Sequence, residues 1–417
     1  MNQNQNRVNK IHEFILHEFS TTARVTPVSP TEAPVWARVV NSGSTLWLDT
    51  GDIDEATTLW NRSFSALTTN NTLLNNEIQK GIYDGLIKKA AAFLQAEGLV
   101  EKDMILEIAF ILNAFHALQL VHCFGVKVSV ELHTDLAHDA EASVAYAKRY
   151  YRLNPKNFII KLPLTPAGFV AVRQLSELGI PVNYTLGFSA RQNYLAARYA
   201  NPSYVNVFMG RLNAFVMDNK LGDGDNVGEK TTMATQHILQ ALRENGQSIT
   251  RLIGASIRSG QQIADVIGCD VLTIPPKAAA QYRLANPATA ENKVHHEFPV
   301  SVAGGVTLEQ FNASTLWDIP DRFKNSVTGL LAKKEAVGTA SEFREYFFAS
   351  GFGDLFPEWS HQEMQIISRD GKIPVYETWK SRLETGELGL DALMNISALC
   401  SFASDQAKLD QRIQSFL

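Results

Sequence analysis

FIIKLP, residues Phe158 to Pro163, decides the reading: it is a short β-type run with a lysine, Lys161, set among apolar residues. Working outward, seven more runs of the same kind appear. They are TLWLDT from Thr45, SALTTN from Ser65, VKVSVEL from Val126, PVNYTLG from Pro181, YVNVFMG from Tyr204, RLIGASI from Arg251 and DVLTIPP from Asp270. Helical candidates separate most of them: Asp139–Arg152, Pro166–Leu178, Ala190–Tyr199, Thr231–Glu244 and Ser259–Ile267. Strand followed by helix, repeated, implies parallel strands joined by right-handed crossovers. Eight such strands suit a closed barrel better than an open doubly wound sheet, which is the rival architecture. The fold class expected is therefore α/β, a (β/α)8 barrel.

The flanks do not follow this rhythm. Residues 1–40 form an N-terminal extension with one helical candidate, Val8 to Phe19, and a connector from Thr26 to Pro34. The catalytic barrel is expected over residues 41–290. The interval Asn71 to Gly125 is helical in character, with room for more than one helix. Residues 291–417 read as a helical C-terminal extension packed on the barrel, with a turn or hairpin at Arg369-Asp370-Gly371-Lys372.

Composition narrows the function classes. The chain has 417 residues, 45% hydrophobic and 19% charged, which is ordinary for a globular protein with a large core. A net charge of −5 gives no reason to expect nucleic acid as a partner, while a few local arginines suffice to hold one phosphate. The three cysteines, Cys123, Cys269 and Cys400, lie far apart with no CxxC or Cys/His cluster, so neither a disulfide framework nor a structural metal is expected. No uninterrupted apolar run is long enough to span a bilayer, and the polar start MNQNQNRVNK leads into no signal core. No membrane partner is expected, and the default location is cytoplasmic.

Residues two apart on a strand share a face, and barrel enzymes place function at the C-terminal strand ends. Polar groups gather there: Asp49, then Thr68 and Asn70, then Glu131, then Lys161, then Asn183 and Thr185, then Asn206 with Arg211 just beyond, then Ser256 and Arg258. Any one of these has a bland explanation, since Asp and Asn at strand ends are usually turn residues or helix caps. A structural, ion-paired lysine would by itself explain Lys161 equally well. Seven successive strands delivering polar groups to one rim are hard to explain as capping. A lysine desolvated in a barrel interior is biased toward the nucleophilic neutral amine, which attacks a ketone to form an imine. Asp49 and Glu131 are the carboxylates available for the proton transfers. Asn70, Asn183 and Thr185 can bond sugar hydroxyls or hold a water, and Arg211, Ser256 and Arg258 form a phosphate clamp.

With these residues in place, the chain resembles the transaldolase family, over Leu46 to Pro276 and again at FASDQAKLDQRI near the end. The motifs are LWLDTGDI with Asp49, TTN ending at Asn70, VSVELHTD with Glu131, FIIKLP with Lys161, VNYTL with Asn183 and Thr185, FMGRL with Phe208 and Arg211, and GASIRS with Ser256 and Arg258. The resemblance implies a (β/α)8 barrel that transfers a dihydroxyacetone unit between sugar phosphates through a lysine Schiff base, without metal or organic cofactor. It implies Lys161 as nucleophile, Glu131 as general acid/base and Asp49 as the second proton carrier. It implies Asn70, Asn183, Thr185, Asn206, Phe208, Arg211, Ser256 and Arg258 as the substrate-binding set. Sedoheptulose 7-phosphate or fructose 6-phosphate would be the donor, small sugar phosphates the only partners, and a homodimer compatible.

The chain also departs from the family pattern. It has TTNNT where TTNPS is usual, with Asn71 in the proline position; Asn206-Val207 stands where Ser-Pro commonly precedes the phenylalanine; His133 and Asp135 follow the glutamate where the family often has Asp and Arg. His133 shares the face of Glu131 and is expected to reach toward the site. These changes surround the lysine and leave open a transaldolase-like aldolase acting on a modified sugar. Glu131 argues against the simple fructose 6-phosphate aldolase type, which usually lacks it, and the intact set argues against a non-catalytic sugar-phosphate-binding barrel. The loop DNKLGDGDN, Asp218 to Asn226, resembles a calcium loop only superficially, because the terminal glutamate is missing, and is read as a loop following a barrel strand.

Overall fold

A computed structural model describes residues 3–22, 25–333 and 337–417. Its centre is a closed barrel of eight parallel strands in sequence order. These are β1 (Thr45–Asp49), β2 (Phe64–Thr68), β3 (Lys127–Glu131), β4 (Phe158–Pro163), β5 (Val182–Thr185), β6 (Tyr204–Phe208), β7 (Arg251–Ala255) and β8 (Val271–Ile274). All eight expected runs are strands, and closure of β1 onto β8 excludes the open sheet. The outward residues of each strand, such as Leu46, Leu67, Val130, Ile160 and Leu272, are fully buried under the surrounding helices. This double-sided burial is why the runs read as nearly continuous apolar stretches.

Inside the barrel the layers change character with height. Trp47 and Tyr204 meet edge to face with ring centroids 4.8 Å apart and plug the lower interior. One step up, the inward residues of every strand but β7, which presents Ile253 and Ala255, are polar. Parallel register then sets Glu131 beside Lys161, Lys161 beside Asn183, and Asp49 beside Thr68. A period of two and a closed sheet are enough to bring these side chains to one mouth.

The loops leaving the strands end in helix caps. Asp52, Asn70, Asp139, Thr165, Ser189 and Ser259 each accept a backbone N–H at the start of the next helix. The interval after β2 holds three helices, Asn71–Gln79, Asp84–Ala96 and Glu101–Phe124. The last is long and apolar enough, by length and composition, to cross a membrane. Glu107, paired with Arg149 and bonded by Tyr146, interrupts its sequence run. The helix is mostly buried, packed against β3 and the helices Gln3–Thr22, Asp84–Ala96 and Leu390–Gln414.

Two helices were not expected. Pro34–Asn41 buries Val35, Trp36 and Val39, and Trp36 packs against Phe64 and Tyr282. Met209–Asp218 begins directly after β6 without a capping side chain. The segment 218–226 therefore follows a helix, not a strand, and leads into the helix Val227–Glu244. Beyond β8 the chain forms the helices Pro276–Ala285, Asp321–Ala332, Ala340–Ala349, His361–Asp370, Tyr376–Glu384 and Leu390–Gln414. The turn expected at 369–372 closes the helix His361–Asp370, with Gly371 at positive φ. One hydrophobic cluster runs from Ile11 through the barrel to Ile413, so both extensions share the barrel's core.

Candidate active site

A cavity of about 270 Å³ opens at the C-terminal ends of the strands. Asp49, Asn70, Lys161, Asn183, Thr185, Asn206, Phe208, Arg211, Ser256 and Arg258 all line it. Glu131 lies immediately beneath, in contact with Lys161. The eleven residues singled out in the sequence are thus gathered around one space. Larger clefts exist outside the mouth, about 450 Å³ near Tyr83 and about 710 Å³ near Phe348, but they collect no strand-end groups.

Lys161 is buried; its Nζ donates to the Thr69 carbonyl at 3.1 Å and stands 3.5 Å from Glu131 Oε2. Glu131 Oε2 also accepts the backbone N–H of Asn71 at 3.2 Å, and the Glu131 carbonyl accepts Asn113 Nδ2 at 2.6 Å. Burial raises the Glu131 carboxyl above its usual range, opposed by the Lys161 cation and the Asn71 N–H. Across the mouth, Asp49 Oδ1 accepts the Thr68 hydroxyl at 2.7 Å, and Thr68 in turn meets Thr273 at 2.5 Å. Burial raises Asp49 too, against the pull of Lys161 and Thr68. Two carboxylates and one amine thus share a low-dielectric pocket in which proton transfer among them is inexpensive.

The next strands contribute an ordered amide network. Asn206 Oδ1 accepts the Gly187 N–H at 3.2 Å, while its Nδ2 donates to Asn183 Oδ1 at 3.2 Å and Thr185 Oγ1 at 3.0 Å. Asn183 Nδ2 donates onward to Ser129 Oγ at 3.1 Å. Because Asn206 donates to Thr185 Oγ1, the Thr185 proton is free to point into the cavity. Asn206, a departure from the family pattern, thereby engages the oxygen of a hydroxyl that lines the cavity. Asn70 has two tasks: its Oδ1 caps the helix Asn71–Gln79 through Leu73 N at 2.8 Å, and the residue lines the cavity.

The far end is cationic. Arg211 is buried, its Nη1 has no hydrogen-bond partner, and burial together with nearby Arg258 pushes its guanidinium down to about 10. Arg258 Nε approaches Ser256 Oγ at 3.4 Å, and Ser256 adopts a left-handed φ of 60° to bring them together. Gly210 is required here: a Cβ would meet the Ser256 carbonyl at 2.1 Å and Arg258 Cγ at 2.6 Å. A buried guanidinium with an unpaired donor, next to a second arginine, is a setting that suits an anion.

One expectation is corrected. His133 does not reach the cavity: its Nε2 lies 3.2 Å from both carboxylate oxygens of Asp410, and its Nδ1 accepts Asp135 N at 3.1 Å. It starts the short turn Thr134–Leu136 and ties it to the C-terminal helix. Residues missed by sequence reasoning come mostly from the extension. Phe402 lies with its ring centroid 5.8 Å from Lys161 Nζ and 5.5 Å from the Arg211 guanidinium, and Lys372 lines the same cavity. Thr273 was legible in principle, as the inward polar residue of DVLTIPP.

The chain is similar to known proteins over most of its length. The family model described as transaldolase/fructose-6-phosphate aldolase matches residues 46–333, most of the chain. A transaldolase of Xanthomonas campestris pv. campestris (strain B100) is 30% identical over 235 residues, covering 55% of this chain and 71% of that protein. A probable transaldolase of Desulfotalea psychrophila is 33% identical over 211 residues, 49% of this chain and 85% of that protein. A transaldolase of Shewanella oneidensis is 28% identical over 278 residues, 65% and 86% respectively. With the closed barrel, the rim of polar strand ends and a family match over more than half its length, the chain belongs to the transaldolase/fructose-6-phosphate aldolase family, as an enzyme of transaldolase type.

Proposed function

We propose that the enzyme transfers a dihydroxyacetone unit from a ketose phosphate, sedoheptulose 7-phosphate or fructose 6-phosphate, to an aldose phosphate through a Schiff base on Lys161. The observation that carries this reading is a buried lysine in contact with Glu131, sharing one cavity with Asp49 and with a buried arginine whose Nη1 has no hydrogen-bond partner. The catalytic unit is the barrel of residues 41–290, with residues 291–417 completing its mouth. Lys161 Nζ, as the neutral amine, attacks the C2 carbonyl; the carbinolamine loses water with Glu131 moving protons, leaving an iminium. Asp49 removes the C4 hydroxyl proton, the C3–C4 bond breaks, and its electron pair moves to the iminium nitrogen, giving an enamine and releasing an aldose. An incoming aldose phosphate is attacked by the enamine, Asp49 returns its proton, and hydrolysis frees Lys161. Arg211, Ser256 and Arg258 hold the phosphate, while Asn70, Asn183, Thr185, Asn206 and Phe208 shape the walls around the three-carbon unit.

The test is trapping. Incubation with fructose 6-phosphate or dihydroxyacetone, reduction with borohydride and peptide mass spectrometry should place the reduced adduct on Lys161. An unmodified Lys161 would refute the Schiff-base reading. An adduct on Lys161 without transfer to erythrose 4-phosphate would favour an aldolase for a modified sugar.

The Asn71 N–H offers a second check, since it can be deleted with one substitution. Residue 71 is the first of its helix and follows Asn70 in an extended conformation (φ −157°, ψ 172°), a setting that accepts proline. Asn71→Pro removes a donor from Glu131, so the carboxyl should hold its proton to higher pH and the acid limb of the kcat profile should move upward. At neutral pH the rate is expected to fall roughly three- to tenfold. An unchanged pH profile in a folded variant would mean that this hydrogen bond does not govern Glu131.

A further inference from the structure

The turn Arg369-Asp370-Gly371-Lys372 belongs to none of the steps above, yet it reaches the site. We infer that Lys372, carried by the C-terminal extension, is a third cation of the cavity's anion-binding end and sets a preference for substrates with a terminal phosphate dianion. This inference rests on reading the cavity as a sugar-phosphate site.

The turn is held in one place. Gly371 has φ 78° and ψ −131°, a conformation open essentially to glycine alone. Its carbonyl accepts Ser397 Oγ from the C-terminal helix at 2.8 Å. Just downstream, Asn219 Nδ2 donates to the Pro374 carbonyl at 3.0 Å, and Tyr376 N donates to Asn219 Oδ1 at 2.8 Å. Asn219 ends the helix that carries Arg211, and Ser397 lies on the helix that carries Phe402. The segment bearing Lys372 is therefore fixed both to the helix that carries Arg211 and to the helix that carries Phe402.

Lys372 is exposed to solvent and lines the same cavity as Arg211, Ser256 and Arg258. Its ammonium makes no ion pair among the described residues. The carboxylate it acts on is Asp405, which burial alone would raise but which Thr72, Lys408 and, after them, Lys372 hold below the usual range. Asp405 also acts on Arg211, but it is shared with Thr72 at 2.6 Å and with the Lys408 ammonium at 3.0 Å, so one carboxylate offsets the three cations only in part. Two arginines match a phosphate through fixed, planar donors; a lysine on a flexible stem adds a movable point charge that can close over the third oxygen. The charge left over favours a dianion above a neutral hydroxyl or a monoanion.

The experiment compares the full-length wild type with Lys372→Gln and Lys372→Arg. Inorganic phosphate is the first probe, by calorimetry, and steady-state kinetics with fructose 6-phosphate and dihydroxyacetone as alternative donors is the second. Lys372→Gln should weaken phosphate binding roughly five- to tenfold and raise KM for fructose 6-phosphate by a similar factor, with kcat changed far less. The loss should be greater for the phosphorylated donor than for dihydroxyacetone, should shrink as salt rises, and should be largely restored in Lys372→Arg. Wild-type phosphate affinity retained in Lys372→Gln would overturn the inference while leaving the sugar-phosphate reading intact. Failure of the wild type itself to bind phosphate would overturn both.

Discussion

Lys161→Ala is expected to lower transaldolase turnover by at least about 10⁴-fold and to abolish borohydride trapping, because the covalent route starts from the buried amine beside Glu131. Among the described residues Lys161 is the lysine in contact with Glu131; Lys372, the other lysine that lines the cavity, is exposed to solvent. The variant should fold, since the strand positions around residue 161 are apolar and outward-packed. Lys161→Met fills more of the vacated space and is the companion for separating chemistry from packing. Both variants remove the cation that opposes the burial-driven rise of Asp49 and Glu131. With their folded pKa values raised above the unfolded ones, these carboxyls bind protons more tightly in the native state. Their contribution to stability is therefore lost as pH rises, and the loss should be steeper in the variants than in the wild type. Thermal melts between pH 5 and 8 would show it. Residual trapping in Lys161→Ala would identify another lysine as the nucleophile and displace the mechanism proposed for this site.

The barrel was legible because its evidence is local. A strand buried on both sides is a short apolar run, and a residue two positions from another shares its face, so Asp49, Glu131, Lys161, Asn183 and Arg211 could be assembled without coordinates. What escaped depends on partners distant in sequence or on the main chain. His133 looked site-directed because it shares a strand face with Glu131, but Asp410, 277 residues away, claims its imidazole. Asn71 stood out as a side chain where proline was expected, whereas its clearest contact is a backbone N–H to Glu131. Phe402 and Lys372 arrive from the extension, after the strand–helix rhythm has ended. The helix Met209–Asp218 was hidden because FMGRL continues the apolar character of β6 and the helix starts without a capping side chain. Asn70 shows why strand-end polar residues resist sorting by sequence: one side chain both caps a helix and lines the cavity.

The extension's hold on the barrel leads to the second large effect. Asp391 is fully buried near the start of the C-terminal helix and accepts Ser189 Oγ at 2.6 Å, Arg191 Nε at 2.8 Å and Arg191 Nη2 at 2.7 Å. Arg191, equally enclosed, also pairs with Asp354 at 2.7 Å. Asp391→Ala would leave a buried guanidinium with half of its partners, and loss of one member of such a pair typically costs about 3–5 kcal/mol. A fall in Tm of roughly 3–6 °C is the expected reading. The effect should extend to catalysis below the melting temperature. The same helix places Asn395 Nδ2 on the carbonyls of Leu164 (3.1 Å) and Leu186 (2.8 Å), immediately beyond the strands of Lys161 and Thr185. It also carries Phe402 above the lysine and Asp405 against Thr72. Loosening its first turn therefore disturbs the walls of the cavity, so kcat/KM should drop more than the folded fraction alone predicts. Replacing Arg191, Asp354 and Asp391 together by leucine removes every charge of the cluster, Asp354 included, and should recover stability relative to Asp391→Ala by more than the single substitutions would add. If Asp391→Ala melts within about 1 °C of the wild type, the buried cluster is not what holds the helix to the barrel, and the apolar contacts of Leu390, Leu393 and Met394 must do so instead.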